Sequence, residues 1–430
     1  MTPVKLNLTS LQTPVSGADN FAELKALLTL DRDAYWAQYG PLKLTTYLQP
    51  IFSFSHRRII GHEGLLRAFD PDGEAVSPLT VINSTASFDE ARRLDRLARL
   101  LHVCNHHLHG IENDWLFLNM HPLVFNQAKQ SDSIGFLGQV LANVNYPASR
   151  VVVELLEQAV ANNGQFADGV AYLRQLGVLI ALDDFGAGHS NFDRIWQIRP
   201  DIVKLDRSFA VQVDTNIRAR RLLPRIVSLL HEAGSLVLIE GVETEEQALL
   251  AMDADIDFVQ GYYFAKPAAH VMSDTLALTR LKALWKNFDN SRGSDYSNYR
   301  KTISPYINAI GYASTMLAVG HRIEHACQQF LELEHTERCF LLDGNGLQVG
   351  PNVVAHNTRN ETSRFNPLNT AEGAIWSRRH YFRRAVEHPG KVQVTRPYLS
   401  IANASLCVTV SVCYTSRREQ FVLCGDLAWI

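Results

Sequence analysis

Glu63, Asn119, Glu154, the adjacent Asp183 and Asp184, and Glu240 are oxygen donors, each set at the end of a short apolar run. Several carboxylates aimed into one mouth would repel one another unless cations neutralise them. All-oxygen ligation suits hard ions such as Mg²⁺ or Mn²⁺, whereas zinc prefers histidine and cysteine. Asp183 and Asp184 can address two sites if the chain turns after its strand, and Gly186 and Gly188 permit that turn. Two ions about 3.5–4 Å apart would activate a water and stabilise the leaving oxygen of an in-line phosphoryl displacement. Lys204 closes another apolar run and could orient or polarise the attacking water, while Arg67 suits bidentate recognition of phosphate. His56 and His62 flank the Glu63 motif without a matching His/Cys cluster and read as ordinary polar residues.

Taken singly, Asp-Asp-Phe-Gly is most often a strand-to-loop turn, Asn119 a turn residue and Lys204 a surface lysine. Glu-Gly-Leu-Leu-Arg is a string that any helix could contain. Their order outweighs these readings, because each closes its own predicted strand: LFLNM, VVVELLE, LIALDDFG, IVKLD, LVLIEGVE and FVQGYYF. Helix-like stretches such as EARRLDRLARLLHVCNHHL and ARRLLPRIVSLLHEAG separate these runs, which argues for βα units and a parallel sheet. Steps from Asn119 through Glu154, Asp183, Lys204 and Glu240 to Gln260 run from 20 to 36 residues. Eight βα units in a barrel of ~250 residues average roughly 31 each. An open doubly wound sheet would repeat similarly, but no glycine-rich phosphate fingerprint follows a first strand.

At 430 residues, 46% hydrophobic and 20% charged, the chain has ample material for a core, and wholesale disorder is excluded. A formal charge of −3 gives no reason to expect attraction to duplex nucleic acid or an anionic membrane. No apolar run approaches the ~20 residues that span a bilayer. The N-terminus lacks the pattern of a secretory signal, so a cytoplasmic protein is expected. The six cysteines include no CxxC and read as small buried hydrophobes.

Residues 45–267 resemble an EAL domain, the cyclic-di-GMP-specific phosphodiesterase module of bacterial signalling. YLQPIF, EGLLR, FLNMHP, VVVELLE, LIALDDFGAGHSNF, RPDIVKLDRSF, IEGVET and VQGYYFAKP occur in the family's order across about half the chain. The resemblance implies a TIM-like (α/β)8 barrel, one strand running against the others, that hydrolyses cyclic di-GMP to linear pGpG. It implies two ions, Mg²⁺ or Mn²⁺. Glu63, Asn119, Glu154 and Asp183 match metal ligands, Asp184 the ligand shared with the second site, and Asp206 a second-metal neighbour. Lys204 matches the lysine that holds the attacking water, and Glu240 the base or metal-water partner; Glu63, Lys204 and Glu240 are the implied catalytic set. Leu65, Arg67 and Gln260 fall on the substrate side, Glu157 braces the loop after Asp184, and Glu243 lies in the same mouth. A homodimer is also implied. Gly64 stands where the signature has alanine, Leu156 where threonine is usual, and His189 where an aromatic is common. No GGDEF-like segment occurs, so cyclase activity is not expected.

The expected organisation is a helical cap over 1–44, the barrel over 45–270, connecting helices over 271–330 and a smaller α+β domain over 331–430. NFDNSRGSDYSNYR reads as a linker or bend. RCFLLD-GNG-LQVG reads as a hairpin, and LCVTVSVCY, SRREQ and FVLCGDLAWI as strand, turn and strand. This part resembles a PAS- or Cache-like sensor, with Arg379, Tyr381 and Arg383 placed to contact a small anionic ligand. The leading reading is a regulated, metal-dependent phosphodiesterase; its rivals are a non-catalytic cyclic-di-GMP receptor and, from another class, a metal-dependent lyase or aldolase barrel.

Overall fold

The computed structural model describes residues 21–110, 113–127, 134–157, 164–188, 192–355, 371–400 and 406–429, in two units, Met1–Asp289 and Asn290–Ile430. The first unit opens with a short helix, Phe21–Ala26, and the strands β1 (Leu28–Asp31), β2 (Ala34–Tyr39) and β3 (Leu42–Ser53). This corrects the helical cap. Tyr35, Trp36 and Tyr39 favour a pleated surface, and Ala37 faces a core that only pairing with β3 supplies. Residues 1–20 of that cap lie outside the described residues.

The remaining strands are β4 (Arg58–Phe69), β5 (Ala75–Val76), β6 (Trp115–Asn119), β7 (Val151–Leu156), β8 (Leu179–Phe185), β9 (Ile202–Leu205), β10 (Leu236–Ile239) and β11 (Phe258–Val259). β3, β4 and β6–β11 close into an eight-stranded barrel, β3 running antiparallel to both its neighbours and the rest parallel. Ile51, Ile60, Phe117, Val152, Ala181, Ile202, Leu238 and Phe258, one from each barrel strand, form a buried cluster. A barrel filled by such a layer is a packed core and not a pore. Outside it, the helix Phe88–Leu108 begins at the Ser87 cap, whose side chain accepts the Glu90 N–H.

Asp274–Ala318 is one long helix, followed by the short helices Ile323–Ala326 and Gln328–Leu331. The stretch 287–300, expected to be a linker or bend, is helical throughout; Gly293 costs only ~1 kcal/mol in a helix. The second unit is built on a six-stranded antiparallel sheet of β12 (Thr336–Asp343), β13 (Gln348–Val354), β14 (Gln393–Val394), β15 (Tyr398–Leu399), β16 (Leu406–Ser416) and β17 (Glu419–Ala428). β12 and β13 form the hairpin about 344–346, and Arg417 and Arg418, both at positive φ, turn β16 into β17. Cys327, Cys339, Cys407, Cys413 and Cys424 are buried free thiols. Among the described residues no helix is long and apolar enough to cross a membrane.

Candidate active site

Strand geometry generates the site from the buried layer. Two residues beyond Phe117, Val152, Ala181, Ile202, Leu238 and Phe258 stand Asn119, Glu154, Asp183, Lys204, Glu240 and Gln260. A period of two keeps each on the same face as its apolar predecessor. Glu63 reaches the same place differently. It lies inside β4 and not at a strand end, because β4 continues past it in pairing with β3. The β3–β4 register shifts between Ile51 and Phe52, leaving Ile60 as the extra residue, so Ile60 and Glu63 share the interior at an odd separation.

Glu63 is fixed by two amides: Asn119 Nδ2 donates to Oε1 and Gln260 Nε2 to Oε2, each at 2.8 Å. Lys204, 1% exposed, places its ammonium 2.5 Å from Glu154 Oε1, 3.0 Å from Asp183 Oδ1 and 2.5 Å from Glu240 Oε1. Burial opposes that charge, but Asp183, Glu154, Glu240 and Glu63 together hold Lys204 well above its ordinary value. The carboxylates remain in excess. Burial raises Glu154 well above the usual carboxylate range against the pull of Lys204, with Glu63 and Asp183 adding to the rise. Burial likewise pushes Glu240 up to about 8 against Lys204, helped by Asp183 and Glu63. Asp184 is raised by burial and then by Asp183. One oxygen each from Asp183, Asp184 and Glu240 lie within 4.8 Å of one another.

The backbone turns at Asp184 itself, which sits at φ 56° with its N–H bonded to Asp183 Oδ1 at 3.0 Å. That left-handed conformation is tolerated by aspartate better than by most residues. Gly186 follows at φ 98°, where a Cβ would fall 2.1 Å from the Phe209 ring. Glu157 Oε2 accepts the Gly186 N–H at 3.4 Å, so it reaches the loop after Asp184. His189 lies outside the described residues.

Asp206 stands apart as a cap: its Oδ1 accepts the Ser208 N–H at 2.9 Å at the start of Arg207–Thr215. Its charge still contributes to raising Asp184. Glu243, 43% exposed in its side chain, pairs with Arg207 at 2.8 Å at the rim. Leu65 and Arg67 follow Glu63 on the same face of β4, and Arg67 lies over the Tyr47 ring at 5.2 Å. They border a cavity of about 420 Å³ that Pro78, Leu79, Asn119 and Leu156 also line. Tyr47 and the buried Asp95, which accepts the His121 N–H after β6, escaped the sequence reading. Neither carries a local signal, since Tyr47 is placed by the pairing of β3 with β4 and Asp95 by the packing of the helix Phe88–Leu108 beside β6. In the second unit Tyr381 is buried, Arg379 lies over the rings of Trp376 and Tyr398, and Arg383 donates to the Arg378 carbonyl.

The donor set fits a divalent cation. Glu154 Oε2 and Gln260 Oε1 are buried without a hydrogen-bond partner, among carboxylates that Lys204 neutralises only in part.

Among curated proteins the chain is 31% identical to the cyclic di-GMP phosphodiesterase RocR of Pseudomonas aeruginosa over 153 residues, covering 35% of this chain and 38% of that protein. It is 27% identical to the probable cyclic di-GMP phosphodiesterase PdeA of Escherichia coli over 265 residues, 61% of this chain and 35% of that one. The chain spans about a third of the length of the curated relatives it matches. Among solved structures, the EAL-domain protein YkuI of Bacillus subtilis, in complex with cyclic di-GMP and calcium, shares the fold at a TM-score of 0.75 and 20% identity. That match covers 90% of this chain and 96% of the other. Residues 41–267, more than half of the chain, match the family described as the EAL domain, and the chain belongs to that family.

Proposed function

We propose that this protein is a divalent-metal-dependent phosphodiesterase that hydrolyses cyclic di-GMP to linear pGpG in the cytoplasm. The observation that carries the reading is the ring of Glu63, Asn119, Glu154, Asp183 and Glu240 about the buried Lys204. Glu63, Asn119, Glu154, Asp183 and Asp184 would hold Mg²⁺ or Mn²⁺, with Asp206 near the second ion. When bound, the ions supply Lewis-acid polarisation of the phosphodiester and acidify water.

The chain's own residues do the rest. Asn119 and Gln260 fix both oxygens of Glu63, so its carboxylate is orientated before substrate arrives. Lys204 presents an N–H donor held by three carboxylates, suited to hold the attacking water. Glu240, whose carboxylate adjoins both Lys204 and Asp183, accepts the proton that this water loses. Arg67, half-buried on the wall of the cavity, receives a phosphate of the substrate, with Leu65 beside it. The six-stranded unit is a PAS- or Cache-like sensor that regulates the barrel, and the protein works as a homodimer.

Chromatography of the purified protein with cyclic di-GMP and Mg²⁺ or Mn²⁺ tests the reading, with Glu63→Ala as control. pGpG from the wild type alone supports hydrolysis. Tight binding without pGpG in either metal would make the protein a receptor instead.

A further inference from the structure

Glu63, Leu65 and Arg67 share one face of β4, and Gly64 lies on the other, against the helix Phe88–Leu108. Gly64 is not among the glycines at positive φ, so its backbone would admit any residue. Space is what forbids a side chain there. A Cβ at this position would stand 2.8 Å from His102 Cγ, 2.9 Å from its Cβ and 3.3 Å from its Cδ2. The His102 Cβ is fixed by the helix backbone, so no rotamer change clears the 2.9 Å contact even where it moves the ring.

The imidazole is held from the other side as well. His102 Nδ1 lies 2.9 Å from Thr46 Oγ1 in a buried pair, and Thr46 sits on β3 directly opposite Leu66 of β4. His102 is therefore wedged among the helix, β3 and β4, only 4% exposed. It also lines the cavity beside Leu65 and Arg67. A packed interior of this density transmits a displacement instead of absorbing it.

We propose that His102 is a positioning residue for substrate binding: it occupies the volume left by the missing side chain at Gly64 and sets where Leu65 and Arg67 stand on the cavity wall. The inference rests on the cyclic di-GMP reading above. It has an unusual consequence, because the alanine that the EAL motif carries at this position would impair this particular protein. An alanine at 64 must push β4 off the helix or drive His102 out, and either movement carries Leu65 and Arg67 with it.

The test is a double-mutant cycle in the full chain: wild type, Gly64→Ala, His102→Gly and the double variant. KM and kcat are measured for cyclic di-GMP with Mn²⁺, and Tm without metal. His102→Gly removes every clashing atom, and the cycle subtracts its own cost to the helix. Gly64→Ala alone is expected to raise KM on the order of tenfold, with a smaller change in kcat and a lower metal-free Tm. In the His102→Gly background the same alanine should leave KM nearly unchanged. Wild-type KM in Gly64→Ala, or an equal penalty in both backgrounds, would overturn the proposal. Coupling in Tm without coupling in KM would reduce His102 to a packing residue and overturn the positioning role. If the wild type makes no pGpG, catalysis fails as a reading, and the same cycle in the Kd for cyclic di-GMP decides this inference. Absence of cyclic di-GMP binding would overturn both.

Discussion

A lysine buried as deeply as Lys204 would shed its proton if burial acted alone. It keeps that proton because Glu154, Asp183 and Glu240 surround it, and each of those acids depends on it in return. Lys204→Met should therefore cost turnover on the order of 10²- to 10⁴-fold through loss of the water's donor. It should also lower the metal-free Tm, since breaking a buried pair typically costs ~3–5 kcal/mol. Mn²⁺ should recover more Tm in the variant than in the wild type, because a cation then compensates the acids that the ammonium leaves behind; equal gains, seen by thermal unfolding, would contradict this electrostatic account. Glu63→Ala and Asp183→Asn act on the opposite sign of the same balance, and both should abolish pGpG formation and weaken metal binding by calorimetry. Ca²⁺ should bind the wild type yet support little hydrolysis, because its larger, looser coordination positions a water poorly. Full turnover with Ca²⁺ would contradict the ascribed chemistry.

At the scale of elements, the helix Phe88–Leu108 makes an acid-sensitive contact with the barrel. Burial, with Arg67 and Arg99 nearby, pushes His102 down to about 3. Burial, with His62, Arg150, His109 and His107 around it, holds His106 well below its usual range, and its Nδ1 pairs with the Tyr146 hydroxyl at 2.9 Å. Unfolded histidines titrate near ~6.5, so below that pH the unfolded chain binds protons that these folded sites refuse. The stability these two histidines contribute is thus intact above pH ~6.5 and is lost as the pH drops, by up to about 1.4 kcal/mol per pH unit for each. For His102 the fall continues towards its folded value of about 3. Glu154 and Glu240, raised in the fold, act in the opposite sense over the same range, so the histidine contribution is read from a difference. Between pH 7 and pH 5 the urea midpoint of His102→Gln should fall less, or rise more, than that of the wild type; identical slopes would remove His102 from the acid response. The sequence exposed the parts of this architecture governed by the strand period alone. Asn119, Glu154, Asp183, Lys204, Glu240 and Gln260 each end an apolar run two residues after a core side chain, which a linear reading can count. Glu63, expected to close a strand like the others, lies inside β4 instead, because a bulge resets its phase and the strand runs on past it. DAYWAQYG fits helical spacing as well as a pleat, and only β3 beside it decides for the pleat. His102 is invisible for the same reason: its partners Gly64 and Thr46 lie in other elements.

Across the whole molecule, a single helix, Asp274–Ala318, supplies side chains to the cores of both units. Ala277, Leu281, Leu284 and Phe288 belong to the barrel's core, whereas Ile303, Tyr306, Ile310, Ala313 and Leu317 belong to that of the second unit. The two halves of this helix are therefore unequal when the chain is cut. A chain ending at Asp289 keeps the first set and bares none of the second. A chain ending at Ala318 keeps the second set without Val408, Val410, Leu423 and the other sheet residues that cover it. Exposed apolar surface of that kind promotes association. The shorter chain, 1–289, should remain folded and form pGpG at an altered rate or in an altered oligomeric state, if the second unit regulates the barrel. The longer chain, 1–318, should aggregate although it contains more of the protein. Size-exclusion chromatography and kcat for both truncations, beside the full chain, decide the matter. A monodisperse 1–318 would contradict the packing argument, and a 1–289 chain with the elution and kcat of the full protein would take the regulatory role away from residues 290–430.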